Sequence, residues 1–150
     1  FKINEDRIVF IKKTIFEDHL SRHSLADLFL DTFNYNAHTT AVDALWTGLP
    51  ILTKSGKSFS SRVCGSLLKF FDLDELILKN KDEYYNKALE LAENPHKLKE
   101  IKNKIVKYKN SDKYFDTKNY TLNLEKAYKR IHAMRVNENK FENIYIKDIE

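Results

Sequence analysis

The chain has 150 residues, 42% of them hydrophobic and 32% charged, with a net charge of +4 and a pI near 9.0. That is enough for one domain with a core, and it excludes a disordered chain. No apolar run is long enough to span a membrane, and the single cysteine, Cys64, excludes an internal disulfide and offers no partner for a metal site. A lone cysteine fits a reducing compartment. The first residue is Phe, so the chain reads as a piece of a longer protein.

Taken in order, "RIVFI" (7–11) predicts a strand and "EDHLSRHSLAD" (17–27) a helix. "LFLDT" (28–32) is an apolar run that ends in a turn signal. "TTAVDALWTG" (39–48) is helical, "PILTK" (50–54) a strand, "SFSSRVCGSLLKFF" (58–71) helical and "ELILK" (75–79) a last short strand. Apolar strands alternating with helices predict an α/β fold, a parallel sheet with helices on both faces. The second half reads as helices. "KDEYYNKALELAEN" stops before Pro95, which starts "PHKLKEIKNKIVKYK" at a first helical position. "NSDKYFDTKNY" reads as a loop, and "TKNYTLNLEKAYKRIHAMRV" as a long amphipathic helix with Tyr120, Leu124, Ala127, Tyr128 and Ile131 on its apolar side. One domain over 1–136 and a polar tail over 137–150 are expected.

Much of the positive charge sits on Lys97, Lys99, Lys102, Lys104, Lys107 and Lys109, at helical spacing among apolar residues. A solvated helix face accounts for it, and no nucleic-acid recognition motif accompanies it. "KSGKSFSS" places Gly-Lys-Ser between a strand and a helix. A phosphate-cradling P-loop needs another Gly five residues before Gly56, where this chain has Ile51. The resemblance to a P-loop therefore ends at three residues.

The stretch "NYNAHTTAVDALWTGLP" is more informative. It follows the carboxyl end of the "LFLDT" strand, and ligands of open α/β sheets bind at the carboxyl ends of strands. The free amides of a helix's first turn make an anion site there, and His38, Thr39 and Thr40 add a ring nitrogen and two hydroxyls. Asp43 shares the face of the two threonines and suits a ribose hydroxyl. Val42, Leu45, Trp46 and Leu49 form the expected core side. The plain alternative is that Thr39 only caps the helix, Asp43 only answers the helix dipole and His38 lies on a surface loop. Residue chemistry alone leaves the two readings open. His19 and Arg22 share a face of the preceding helix and could meet a base and a phosphate, although a half-exposed helix face is the simpler reading.

The ordered set "SLADLFLDT", "NAHTTAVDALWTGLPILT", "SRVCGSLL" and "FDTKNYTLNLEKAY" resembles the C-terminal part of the O-linked N-acetylglucosamine transferase family. The resemblance runs from about Arg7 to Arg130. It implies the Rossmann-like C-terminal half of a GT-B fold, followed by C-terminal helices. It also implies inverting transfer of N-acetylglucosamine from UDP to Ser or Thr hydroxyls of proteins. By resemblance, His38, Thr39 and Thr40 hold the diphosphate of the UDP-sugar and Asp43 the ribose. His19 packs on uracil, Arg22 lies near the base, and the backbone at Thr14 reads the uracil edge. Phe16 stands where better-known members carry a Lys, three residues before the His. The expected partners are UDP-N-acetylglucosamine, an acceptor protein Ser or Thr, and an N-terminal catalytic lobe of the same polypeptide. No cofactor, metal, nucleic acid or membrane is expected. The implied parent is cytoplasmic and carries tetratricopeptide repeats. The general base is expected outside this chain, which would leave the fragment alone inactive. The alternatives are a related protein glycosyltransferase using another nucleotide sugar, such as GDP-fucose, and a non-catalytic nucleotide-binding or scaffold module.

Overall fold

The computed structural model describes residues 3–111, 116–138 and 142–146. It divides into two compact units, Phe1–Asn110 and Ser111–Glu150. The first holds three parallel strands in the order β1 (Phe29–Leu30), β2 (Ile51–Lys54), β3 (Ile77–Leu78). Phe29 pairs with Ile51, and Thr53 with Ile77. Its helices are α1 (Phe16–Arg22), α2 (Thr39–Trp46), α3 (Val63–Phe70), α4 (Lys81–Glu93) and α5 (Pro95–Lys109). The second unit is α6 (Thr117–Ala133), which runs into a π turn over Met134–Glu138.

Successive strand residues point to opposite faces of a sheet. Ile51, Leu52 and Thr53 are all fully buried, so both faces of the central strand are covered. Ala41, Ala44 and Leu45 from α2, Cys64 and Leu68 from α3, Leu91 from α4, and Ile101 and Ile105 from α5 complete the core. This is the expected α/β architecture with a parallel sheet.

Helix ends follow the local chemistry. The Asn80 side chain accepts from the Glu83 amide, while a Glu83 carboxylate oxygen accepts from the Lys79 amide. The first bond satisfies a first-turn donor, and the second ties the residue before the cap to that turn. Asn94 caps α5 through the Lys97 amide, with Pro95 next in line as expected. At the end of α2, the Gly48 amide bonds the Leu45 carbonyl and the Leu49 amide the Ala44 carbonyl. That is a Schellman closure, and Gly48 sits at φ 84°. Gly48→Ala is expected to cost about 1 to 2 kcal/mol, because a Cβ is strained in that conformation. Urea unfolding measures it.

Three expectations change. The "RIVFI" segment is not a strand. Arg7 ends a 3-10 turn over Glu5–Arg7, residues 8–11 have no regular structure, and Phe10 is 93% exposed. A strand exists through its ladder, and the described sheet pairs only β1, β2 and β3. The core side of α2 is also rotated. Leu45 and Leu49 are buried as expected, joined by Ala41 and Ala44, while Val42 and Trp46 are 37% and 42% exposed, with the Lys109 ammonium 4.5 Å from the Trp46 ring centroid. Finally, the helix expected from Ser58 begins at Val63, after a 3-10 turn over Phe59–Ser61. A Cβ on Gly56 would meet Ser61 Oγ at 2.2 Å, so the glycine lets this turn fold back on its own loop. The loop expected from Asn110 lies partly outside the described residues, and α6 already begins at Thr117.

Candidate functional site

Asp31 follows β1 directly and extends its ladder, its amide donating to the Leu52 carbonyl at 3.0 Å. Its side chain is buried. Oδ1 accepts from the amides of Thr32 (2.8 Å) and Ala37 (2.7 Å), and Oδ2 accepts from the Thr53 hydroxyl (2.6 Å). Loop 32–37 is thereby closed on itself. The Asn36 side-chain amide donates to the Thr32 carbonyl, and the Asn36 main-chain amide to the Ser60 carbonyl. The Thr32 hydroxyl donates to the Tyr35 carbonyl.

The loop delivers His38 to the N-cap of α2 in a non-helical conformation, φ −109° and ψ −94°. The His38 ring stacks on Tyr35, 4.8 Å between centroids and 16° between planes, and meets the edge of Phe59. Its Nε2 lies 3.4 Å from the Ser60 carbonyl. A carbonyl only accepts, so Nε2 is the donor, and Nδ1 is the nitrogen left for a ligand. The plain capping alternative fails here. Thr39 is the first helical residue, and no side chain caps the helix. The Ala41 amide already donates to the His38 carbonyl at 3.0 Å, so the Thr39 and Thr40 amides and hydroxyls are the groups left for a ligand. They face a cavity of about 430 Å³ lined by residues 29–32 and 35–40. An uncapped helix start with its dipole favours an anion.

One turn further on, Asp43 Oδ2 lies 3.7 Å from His19 Nε2. The His19 ring also meets His23 edge-on, 4.9 Å between centroids. Burial lowers the His23 pKa, and the neighbouring His19 lowers it further. His38, Thr39 and Thr40 thus line one cavity, and Asp43, one turn along α2, pairs with His19. Arg22 donates to the Lys12 carbonyl at 3.3 Å, and the Thr14 hydroxyl donates to Asp18 at 3.1 Å. Those two bonds hold each residue to its own segment, 12–22. Among the described residues, no group of three or more His, Cys, Asp or Glu could hold a metal ion.

Sequence reasoning missed Asp31, Asn36 and Ser60. Only the position of Asp31, at the end of an apolar run, hinted at a role. Behind it, burial pushes the Cys64 thiol up to about 12, and the Asp31 carboxylate adds to that. The same two causes push Tyr84 to about 12, and its hydroxyl donates to the Asp31 carbonyl. Both acids hold their protons longer when folded than when unfolded. The unfolded chain loses them first, from ordinary values of 9.0 and 10.0, so alkali favours unfolding. Urea stability is expected to hold below pH 9 and fall from there towards about 12. Cys64→Ala should flatten part of that fall, and an unchanged slope would contradict the burial of the thiol.

A protein-family model described as glycosyl transferase family 41 matches residues 1–124. The chain belongs to this family. It is 37% identical over 123 residues to a UDP-N-acetylglucosamine–peptide N-acetylglucosaminyltransferase of Caenorhabditis elegans, a match covering 82% of this chain and 11% of that protein. A protein of Arabidopsis thaliana, described as a probable enzyme of the same name, SEC, is 35% identical over 127 residues, 84% of this chain and 13% of that one. The structure of a mutant O-GlcNAc transferase from Thermobaculum terrenum superposes with a TM-score of 0.80 at 30% identity, covering 84% of this chain and 24% of the other. The chain therefore spans roughly a tenth of the curated relatives it matches. No described helix is long and apolar enough to cross a membrane.

Proposed function

We propose that the α2 N-terminus binds the diphosphate of UDP-N-acetylglucosamine, and that this chain is the donor half of an inverting protein O-glycosyltransferase. The observation that carries the reading is the uncapped start of α2, with His38, Thr39 and Thr40 on one cavity at the carboxyl end of a parallel sheet. The names of the relatives support the choice of donor and acceptor. Asp43 would take the ribose hydroxyls, His19 the face of the base, and Arg22 and the backbone at Thr14 the base surroundings.

In the transfer, an acceptor Ser or Thr hydroxyl attacks the anomeric carbon as the bond from that carbon to the diphosphate oxygen breaks. Negative charge grows on the departing diphosphate. Amides and hydroxyls already aimed at it stabilise the transition state more than the ground state. The group that takes the acceptor proton would come from an N-terminal catalytic lobe of the same polypeptide. The parent protein would work in the cytoplasm and carry tetratricopeptide repeats, with no cofactor or metal.

Calorimetric titration of the chain with UDP and with GDP tests the reading. Saturable UDP binding with a Kd of about 1 mM or below, tighter than GDP, is expected. Tighter GDP binding would move the donor to another nucleotide sugar. No binding of either would leave a scaffold module.

A further inference from the structure

We propose that Asp31 is the positioning residue of this site: it sets the loop that aims His38 and the first turn of α2. The proposal rests on the nucleotide-sugar reading above. Asp31 is 3% exposed and lines the cavity, yet it makes no ion pair among the described residues. Its three acceptor bonds have separate roles. The Thr53 hydroxyl fixes the carboxylate to β2. The Thr32 and Ala37 amides then draw both ends of loop 32–37 onto that fixed point. Ala37 is the residue before His38. Every further support of the His38 ring passes through the same loop or its neighbour. Tyr35, on which it stacks, lies inside the loop. The Ser60 carbonyl, which accepts from Nε2, also accepts the Asn36 amide. Without the carboxylate, the Ala37 amide loses its acceptor and the loop loses its closure. The ring then keeps a 3.4 Å contact to the Ser60 carbonyl, the edge of Phe59 and a stacking partner that moves with it.

Asp31→Ala, Asp31→Asn and Thr53→Val test this in the 150-residue chain. Asp31→Ala is expected to weaken UDP about 10- to 100-fold, the scale of hydrogen bonds lost to a charged acceptor. It should also shift the NMR signals of the His38 ring and of the Thr39 and Thr40 amides without UDP present. Asp31→Asn keeps an oxygen for both amides and should bind within about 3-fold of the parent. Thr53→Val removes only the hydroxyl to the strand. It should lower the melting temperature and leave the UDP affinity within about 3-fold. A purely structural Asp31 would instead make UDP affinity follow melting temperature across all three variants, and that result overturns the proposal. So does an Asp31→Ala protein with parental UDP affinity. In the unaltered chain the Ala37 amide should exchange with solvent more slowly than the Asn34 and Tyr35 amides, and fast exchange there overturns the proposal even if Asp31→Ala does not fold. If the unaltered chain does not bind UDP, the donor reading fails. The shifts of His38, Thr39 and Thr40 on Asp31→Ala still decide the positioning role.

Discussion

Replacing His38 with alanine in the proposed parent glycosyltransferase is expected to lower turnover about 100- to 1,000-fold, the usual cost of one donor to a developing oxyanion. The substrate KM should change much less, because the charge on the diphosphate grows as the bond breaks. The ring offers Nδ1 to the ligand, since Nε2 points at the Ser60 carbonyl. His38→Gln, which keeps an amide donor, should recover part of the loss. The fold should survive both changes, because His38 is only half-buried and its ring contacts lie at the surface of the loop. Near-normal transfer by His38→Ala, with an intact circular dichroism spectrum, would sink the assignment.

The strands and helices that a local pattern can mark were readable in the sequence. "PILTK" is apolar through the centre of the sheet and became β2, and Asn94 with Pro95 marked the start of α5. "RIVFI" is more apolar still and is no strand, because composition states a preference while pairing depends on a neighbour elsewhere in the chain. The rotation of α2 has a similar cause. Val42, Leu45, Trp46 and Leu49 were read as the side opposite Thr39, Thr40 and Asp43; Leu45 and Leu49 are buried, but the close approach of β2 and α3 selects the small Ala41 and Ala44 in place of Val42 and Trp46. The cluster His38, Thr39, Thr40 and Asp43 was legible because its members are adjacent in sequence. Asp31 was not, because its work is done through Ala37 and Thr53, positions that only the folded loop brings to it. The capping alternative for Thr39 was likewise a question of hydrogen bonds, and sequence does not show those.

Leu45→Ala is the substitution expected to damage the fold most. The side chain is 0% exposed and sits on α2, which touches β2, α3 and α5. Removing it should cost about 2 to 5 kcal/mol, the lost transfer energy plus a cavity that rigid neighbours cannot close. Against a typical total of about 5 to 15 kcal/mol, that loss would bring the domain near its limit. Because α2 also carries His38 to Asp43, loss of this helix is loss of the site. Val42→Ala provides the comparison. Val42 was read from sequence as core but is 37% exposed, so its loss should cost about 1 kcal/mol or less. Urea titration of both variants, with unchanged slope, measures the difference. Equal costs would return α2 to the orientation read from sequence and turn Ala41 and Ala44 outward. A large cost confined to Leu45 keeps the uncapped first turn, and the diphosphate it is proposed to hold, on the side of the helix described here. In that case UDP affinity measured well below the melting temperature should match the parent, since Leu45 touches the ligand only through the stability of the helix that bears the site.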